Sequence, residues 1–250
     1  MTNLLSVIDS FKAVIVEEEE DGSMTGINVQ TFLSAALTFR SLFSLTRVQS
    51  TGFISSDFHN YINLITSCYN KHAALTIQGL IRDEIGRGKG EDRKSATRSL
   101  LKLNRLLEYQ LIFLFNSLAV PKTGKLKRAA TNAYRAAIKP HIHGLMRLCW
   151  KTAIGNMCSK EHLIQRLMGD DAATEDSFID AVHGLIDVVG PITSIFSRFL
   201  KELNVSIEEP DVYSNMVLRG DVLPTNMFQL PKTETEPTEA AGIASETIEK

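Results

Sequence analysis

The chain has 250 residues, 44% hydrophobic and 22% charged, with a net charge of −2. Those values suit a soluble globular domain, with or without a tail, and exclude a global electrostatic pull toward nucleic acid or membrane, so attraction to an anionic partner has to come from a local patch. No uninterrupted run of about 18 apolar residues marks a membrane span, and Cys68, Cys149 and Cys158 stand at spacings that suit neither a disulfide framework nor a zinc site.

The first twenty residues, MTNLLSVIDSFKAVIVEEEE, have no basic start and soon turn acidic, so they do not read as a secretory signal; with the cysteine pattern this points to the cytoplasm. This stretch is predicted helical up to the acid run from Glu17 to Asp21, with a break at Gly22. In VQTFLSAALTFRSLF the residues Phe32, Ala36, Phe39 and Phe43 form one apolar stripe, and FISSDFHNYINLITSCY repeats the pattern with Phe58, Tyr61, Ile65 and Tyr69. EIGRGKGEDRKS is glycine-rich and charged, a loop. A long helix is predicted from Ser95 to Leu118, then a turn at VPKTGK, then helix from Ala129 to Cys158 with a kink at Pro140. SKEHLIQRLMG is a short helix ended by Gly169, and Asp176 to Leu203 is a long one bent at Gly190 and Pro191. No alternating strand pattern competes. The expectation is an all-α domain over residues 1–214 and a flexible, mildly acidic tail over 215–250, where proline, threonine and glutamate dominate.

The long helix carries the most pointed chemical signal. Ala96, Leu100, Leu103, Leu107, Leu111, Leu114 and Leu118 form one apolar stripe, while Arg98, Lys102 and Arg105 lie opposite. That opposite face continues as Tyr109, Ile112 and Phe113, so the second half of the helix is predicted buried on both sides. A cationic rim above an apolar interior suits an amphiphile with an anionic head; the competing reading is cations solvated on the first turns of a helix. Asp57 has two readings as well. It can cap and charge-stabilise a helix start with Ser55 and Ser56, or accept hydrogen bonds from a ligand's amide and hydroxyl. His141 and His143 would point about 200° apart on a regular helix and could not easily share a metal. No glycine-rich phosphate loop, nucleophile elbow or paired catalytic carboxylates are present, which speaks against an enzyme, and nothing calls for a metal or a cofactor.

Three segments, GFISSDFHNYINLI, SATRSLLKLNRLLEY and NAYRAAIKPHIHGLMRL, resemble in order and separation the glycolipid transfer protein superfamily, from about Val29 to Leu203. The resemblance implies a two-layer helical sandwich that encloses an apolar lipid cavity and moves sphingolipids between membranes without catalysis. Glycolipid-binding members carry a tryptophan where this chain has Lys102, and the only tryptophan here is Trp150. Members that bind ceramide-1-phosphate have arginines at the positions of Arg98 and Lys102, so this chain looks like the phosphate-headgroup subfamily. By the same resemblance Asp57 would hold the ceramide amide and hydroxyl, and His143 the amide carbonyl, with His141 as its alternative.

Two departures bear on the headgroup. Where the family has lysine or asparagine one turn after the aspartate, this chain has Tyr61, a neutral donor at pH 7. Lys102 replaces a bidentate arginine with a point charge. The turn VPKTGKLKR gathers Lys122, Lys125, Lys127 and Arg128, either as a solvated basic turn or as a dock for an anionic membrane surface. The partners implied are a sphingolipid and, transiently, a membrane. A glycolipid binder and a non-transferring adaptor that keeps the fold are the alternatives.

Overall fold

The recurrence of apolar side chains at three and four residues becomes helix almost wherever it occurs in the computed structural model, which describes residues 3–18, 24–45, 52–71, 74–169 and 174–205. The residues expected to form the tail lie outside this range. The described helices are α1 (Leu4–Lys12), α2 (Val29–Leu45), α3 (Gly52–Tyr69), α4 (Ile77–Gly86), α5 (Ala96–Leu118), α6 (Lys127–Ala133), α7 (Leu145–Gly155), α8 (Lys160–Met168) and α9 (Glu175–Glu202). They form a two-layer sandwich in which α5 is central: it packs on α3, α6 and α9, while α2 bridges α1 and α3. Phe32, Ala36, Phe39 and Phe43 are all buried, as their spacing predicts. Phe39 stacks on Phe58 of α3 at 5.9 Å, and Phe32 meets Phe196 of α9 edge-on at 4.9 Å.

Four expectations are corrected. The opening stretch is helical only to Lys12. It then forms a two-stranded hairpin, β1 (Val16–Glu18) and β2 (Met24–Ile27), whose Ile27 N–H donates to Gln78 Oε1 at 2.8 Å. Helix α4 was not expected beside the glycine-rich loop, which begins only after Gly86. Helix α3 starts at Gly52, so Asp57 lies in its second turn and does not cap it. Pro140 marks a rupture rather than a kink. Helix α6 widens into a π-turn (Tyr134–Ile138), tightens into a 3₁₀ turn (Lys139–His141), and ends before α7. Pro191, by contrast, sits inside an unbroken α9. That helix is long and apolar enough to cross a membrane, but more than half of its most apolar stretch is buried, as a core helix requires.

Both ends of α5 are fastened by buried charge. Glu84 accepts the backbone N–H groups of Ala96 and Thr97, each at 2.8 Å, and the Thr97 hydroxyl at 2.6 Å. These N–H groups have no partner within the helix, and the carboxylate also complements the positive end of the helix dipole. Ser95 adds the cap on Arg98 N–H at 3.0 Å. At the other end Lys160, only 1% exposed, donates to the Leu118 carbonyl at 2.9 Å and to Glu175 at 2.5 Å, joining α5, α8 and α9. Removing the carboxylate in Glu84→Ala strands buried donors at the start of α5. We expect a loss of about 2–4 kcal/mol in urea unfolding. A loss under about 0.5 kcal/mol, the level of an ordinary surface change, would show that the clamp is dispensable.

Candidate functional site

A cavity of about 310 Å³ opens between α3, α5, the ruptured helix and α7. Helical spacing builds two of its walls. On α3, Phe53, Asp57 and Tyr61 follow one another at four-residue steps; on α5, Lys102, Arg105 and Leu106 share a face. Ile138, His141, Ile142 and His143 come from the rupture, and Met146 and Trp150 from α7. Asp57, Tyr61, Lys102, Arg105 and the two histidines thus share a pocket otherwise made of Phe53, Ile54, Leu106, Ile138, Ile142, Met146 and Trp150.

The rupture explains the two histidines. On a regular helix they would diverge, but His141 closes the 3₁₀ turn and Ile142 is extended, at φ −126° and ψ 151°, so both rings line the same cavity. Gly144, at φ +54°, then reverses the chain into α7, a conformation that favours glycine. Arg147 pins the segment by donating to the carbonyls of Ile142 at 2.6 Å and Lys139 at 3.2 Å. His141 is half-buried and His143 exposed. Among the described residues no group of three or more histidines, cysteines or carboxylates could hold a metal ion.

The charge balance at the cavity is lopsided. Burial raises the Asp57 carboxyl above the ordinary aspartate range, and Lys102 partly opposes that rise. Burial lowers the Lys102 ammonium, and so do Arg98, Arg105 and Arg93; Asp57 alone pulls it back up. The ammonium stands 5.4 Å from the centre of the Tyr61 ring, a cation–π contact. Burial, aided by Asp57, pushes the Tyr61 phenol up to about 12, so it is a neutral donor at pH 7.

The structure therefore unites Asp57, Tyr61, Lys102 and His143. Arg98 does not line the cavity: it is exposed one turn further out and donates to the Glu91 carbonyl at 3.0 Å. Arg105 lines it instead, a residue whose place three positions after Lys102 was the available signal. Trp150, remote in sequence, also lines it, but at 3% exposure. Tyr109 and Phe53 meet the indole edge-on, at 4.8 and 6.1 Å, and Tyr134 stacks on it at 5.8 Å. No signal short of the fold placed it there. The basic turn with Lys122, Lys125, Lys127 and Arg128 follows the far end of α5, and about 24 Å of helix axis separates Lys102 from Leu118. On α7, Met146 lines the cavity and is 37% exposed, while Leu145 and Leu148, 73% and 60% exposed, do not line it.

The sequence matches the family model described as glycolipid transfer protein over residues 27–169. No curated protein matches it. Solved structures share the fold. A fungal glycolipid transfer protein, HET-C2, is 22% identical with a TM-score of 0.67, the match covering 79% of this chain and 96% of that one. A mutant of Arabidopsis accelerated-cell-death 11, complexed with C12 ceramide-1-phosphate, is 18% identical with a TM-score of 0.71, covering 82% and 98%. Human ceramide-1-phosphate transfer protein, in complex with 12:0 ceramide-1-phosphate, is 15% identical with a TM-score of 0.68, covering 84% and 100%. With more than half of its length matched by the family model, on an all-α fold shared with these proteins, this chain belongs to the glycolipid transfer protein family.

Proposed function

We propose that this protein carries a phosphosphingolipid of the ceramide-1-phosphate class between membranes, acting from the cytoplasm and without catalysis. The observation that carries this reading is that two cations, Lys102 and Arg105, line an otherwise apolar pocket in which Asp57 is the one carboxylate among the described lining residues, with Arg98 and Arg93 adding positive charge nearby. Like charges held together are relieved by a bound anion, and a phosphate offers oxygens to several donors at once. A neutral sugar offers no such relief, and at 3% exposure Trp150 has no open face for it to stack on. Asp57 would accept the ceramide amide and hydroxyl. His143 or His141 would donate to the amide carbonyl, and Lys102 and Arg105 would take the phosphate with Arg98 behind them. We assign membrane contact to Met146 and its neighbour Leu145, exposed apolar residues at the start of α7, because apolar surface beside the cavity lets a lipid pass without crossing water.

In a vesicle assay, ceramide-1-phosphate should move faster than galactosylceramide. Lys102→Ala should weaken ceramide-1-phosphate binding about tenfold, the loss of one charge-assisted hydrogen bond at a half-exposed site. Equal transfer of both lipids by wild type and variant would remove the phosphate assignment.

Tyr61→Lys adds a cation beside Lys102. It should tighten phosphate-headgroup binding several-fold and leave galactosylceramide unaffected, as read by competition with a fluorescent lipid. An unchanged affinity would place Tyr61 outside the headgroup's reach.

The carboxylate form of Asp57 is the acceptor, and its pKa is raised, so protonation on acidification disables it earlier than it would an ordinary aspartate. Binding should therefore fall with pH, starting above the usual carboxylate range near about 3.9. Asp57→Asn should bind weakly throughout and lose this dependence. The phosphate's own ionisation, common to both proteins, cancels in the comparison. Identical pH profiles would show that Asp57 makes no such bond.

A further inference from the structure

We propose that the cavity where α5, the α5–α6 turn and α6 meet is a second site, one that binds a phosphate group. This cavity holds about 240 Å³ and is lined by Asn116, Lys125, Arg128 and Asn132 around the turn at Pro121 and Gly124. Its functional side chains are two cations and two amides, and no carboxylate lines it among the described residues. A pair of cations beside amide donors is chemistry for an oxygen-rich anion. Asn116 supplies an independent sign. It is 7% exposed, and its Nδ2 is buried without a hydrogen-bond partner. An unpaired buried amide is costly, and a site that tolerates one has a reason to do so.

Two of the carbonyls at the end of α5 are engaged by donors rather than left facing an anion. Those of Ser117 and Leu118 accept the Val120 N–H at 3.1 Å and the buried Lys160 ammonium at 2.9 Å. The turn is also held in place. Gly124 N–H donates to the Pro121 carbonyl at 2.7 Å, and the Gly124 and Lys122 carbonyls accept the N–H groups of Lys160 and Glu161, each at 3.0 Å. Leu126 N–H reaches the Cys158 carbonyl at 3.2 Å. A Cβ at Gly124 would lie 2.7 Å from Val120 Cγ1 and 2.9 Å from the Pro121 oxygen, so the wall demands glycine. A basic turn that is merely solvated has no need of such fixing; a binding wall gains from it because less freedom is lost on binding. The volume suits a phosphate with a small polar substituent and is too small for a lipid's chains. Lys122 and Lys127 do not line the cavity, which narrows the role of the basic turn to Lys125 and Arg128.

The phosphate can belong to a lipid headgroup or to a soluble molecule, and two arms separate these sources. In the first, the side-chain amide NMR signals of Asn116 and Asn132 are followed in the full chain as sodium phosphate is added at constant ionic strength, against sodium chloride. Both signals should shift saturably, with affinity reduced at least about tenfold in Lys125→Gln/Arg128→Gln. Lys102→Ala, which impairs only the first cavity, should leave this titration unchanged, so failure at one site is told apart from failure at the other. Asn116→Leu should abolish the Asn132 shift while leaving the melting temperature unchanged or raised, because it removes the unpaired amide. In the second arm, sedimentation with phosphatidylcholine vesicles is compared with and without phosphatidic acid. Preferential sedimentation with phosphatidic acid that the double variant loses assigns the phosphate to a lipid. Saturation by inorganic phosphate without that preference assigns it to a soluble compound. Shifts that chloride reproduces or that persist in the double variant overturn the site, and so does a steep drop in melting temperature for Asn116→Leu.

Discussion

Two buried charges of opposite sign hold α5, and the rest of the molecule is arranged around that helix. Glu84 sits at its positive end and Lys160 at its negative end, each bonded to backbone groups that the helix cannot satisfy itself. Both positions agree with the helix dipole, so they stabilise α5 electrostatically as well as by hydrogen bonding. The fastening matters because α5 is asked to do incompatible things along its length. Its second half is buried on both faces, whereas its first turns carry cations that repel one another. A helix held only by its apolar stripe could relieve that repulsion by fraying at its start, and Glu84 together with the Ser95 cap prevents this.

Burial and then the cations of the first turns lower the Lys102 ammonium at the cavity wall. Tyr61 moderates that repulsion, because its ring gives the Lys102 ammonium a partial negative face without neutralising it. Asp57 moderates it further, although its own burial favours the neutral carboxyl. Neither residue adds a positive charge, so the cations lining the cavity remain Lys102 and Arg105 among the described residues.

Periodicity reveals what regular helices do and little of what their interruptions do. The stripes on α2 and α5 were legible because a soluble helix can bury only a face whose residues recur every three to four positions. The double burial of α5 could be read from Tyr109, Ile112 and Phe113 for the same reason. Lys102 and Asp57 were candidates from their helix positions, Tyr61 and His143 through the family resemblance, and three of the four sit on such helices. The misses have a different origin. The hairpin after α1 is too short, and its sequence too acidic, to declare itself by alternation. Treating 129–158 as one helix set the two histidines apart, whereas a π-turn followed by a 3₁₀ turn changes the angle per residue and brings both into the cavity. Trp150 reaches the pocket only because that rupture swings α7 back across α3 and α5.

The size of the first cavity says something about how a carrier of this design loads. About 310 Å³ lies at the lower end of ordinary small-molecule sites, enough for a headgroup and the first carbons behind it. Behind Trp150 the described residues continue as buried rings, Tyr109 and then Phe113, and protein interiors pack as densely as organic solids. On the proposed function, long hydrocarbon tails that pass this wall would displace such contacts and take their place. On the proposed function the cargo is then a temporary part of the hydrophobic core, and the empty and loaded proteins are two packings of one fold. Uptake becomes a repacking reaction whose barrier is set by the contacts between the two layers. A core improved for stability alone would, by the same physics, exchange its lipid more slowly.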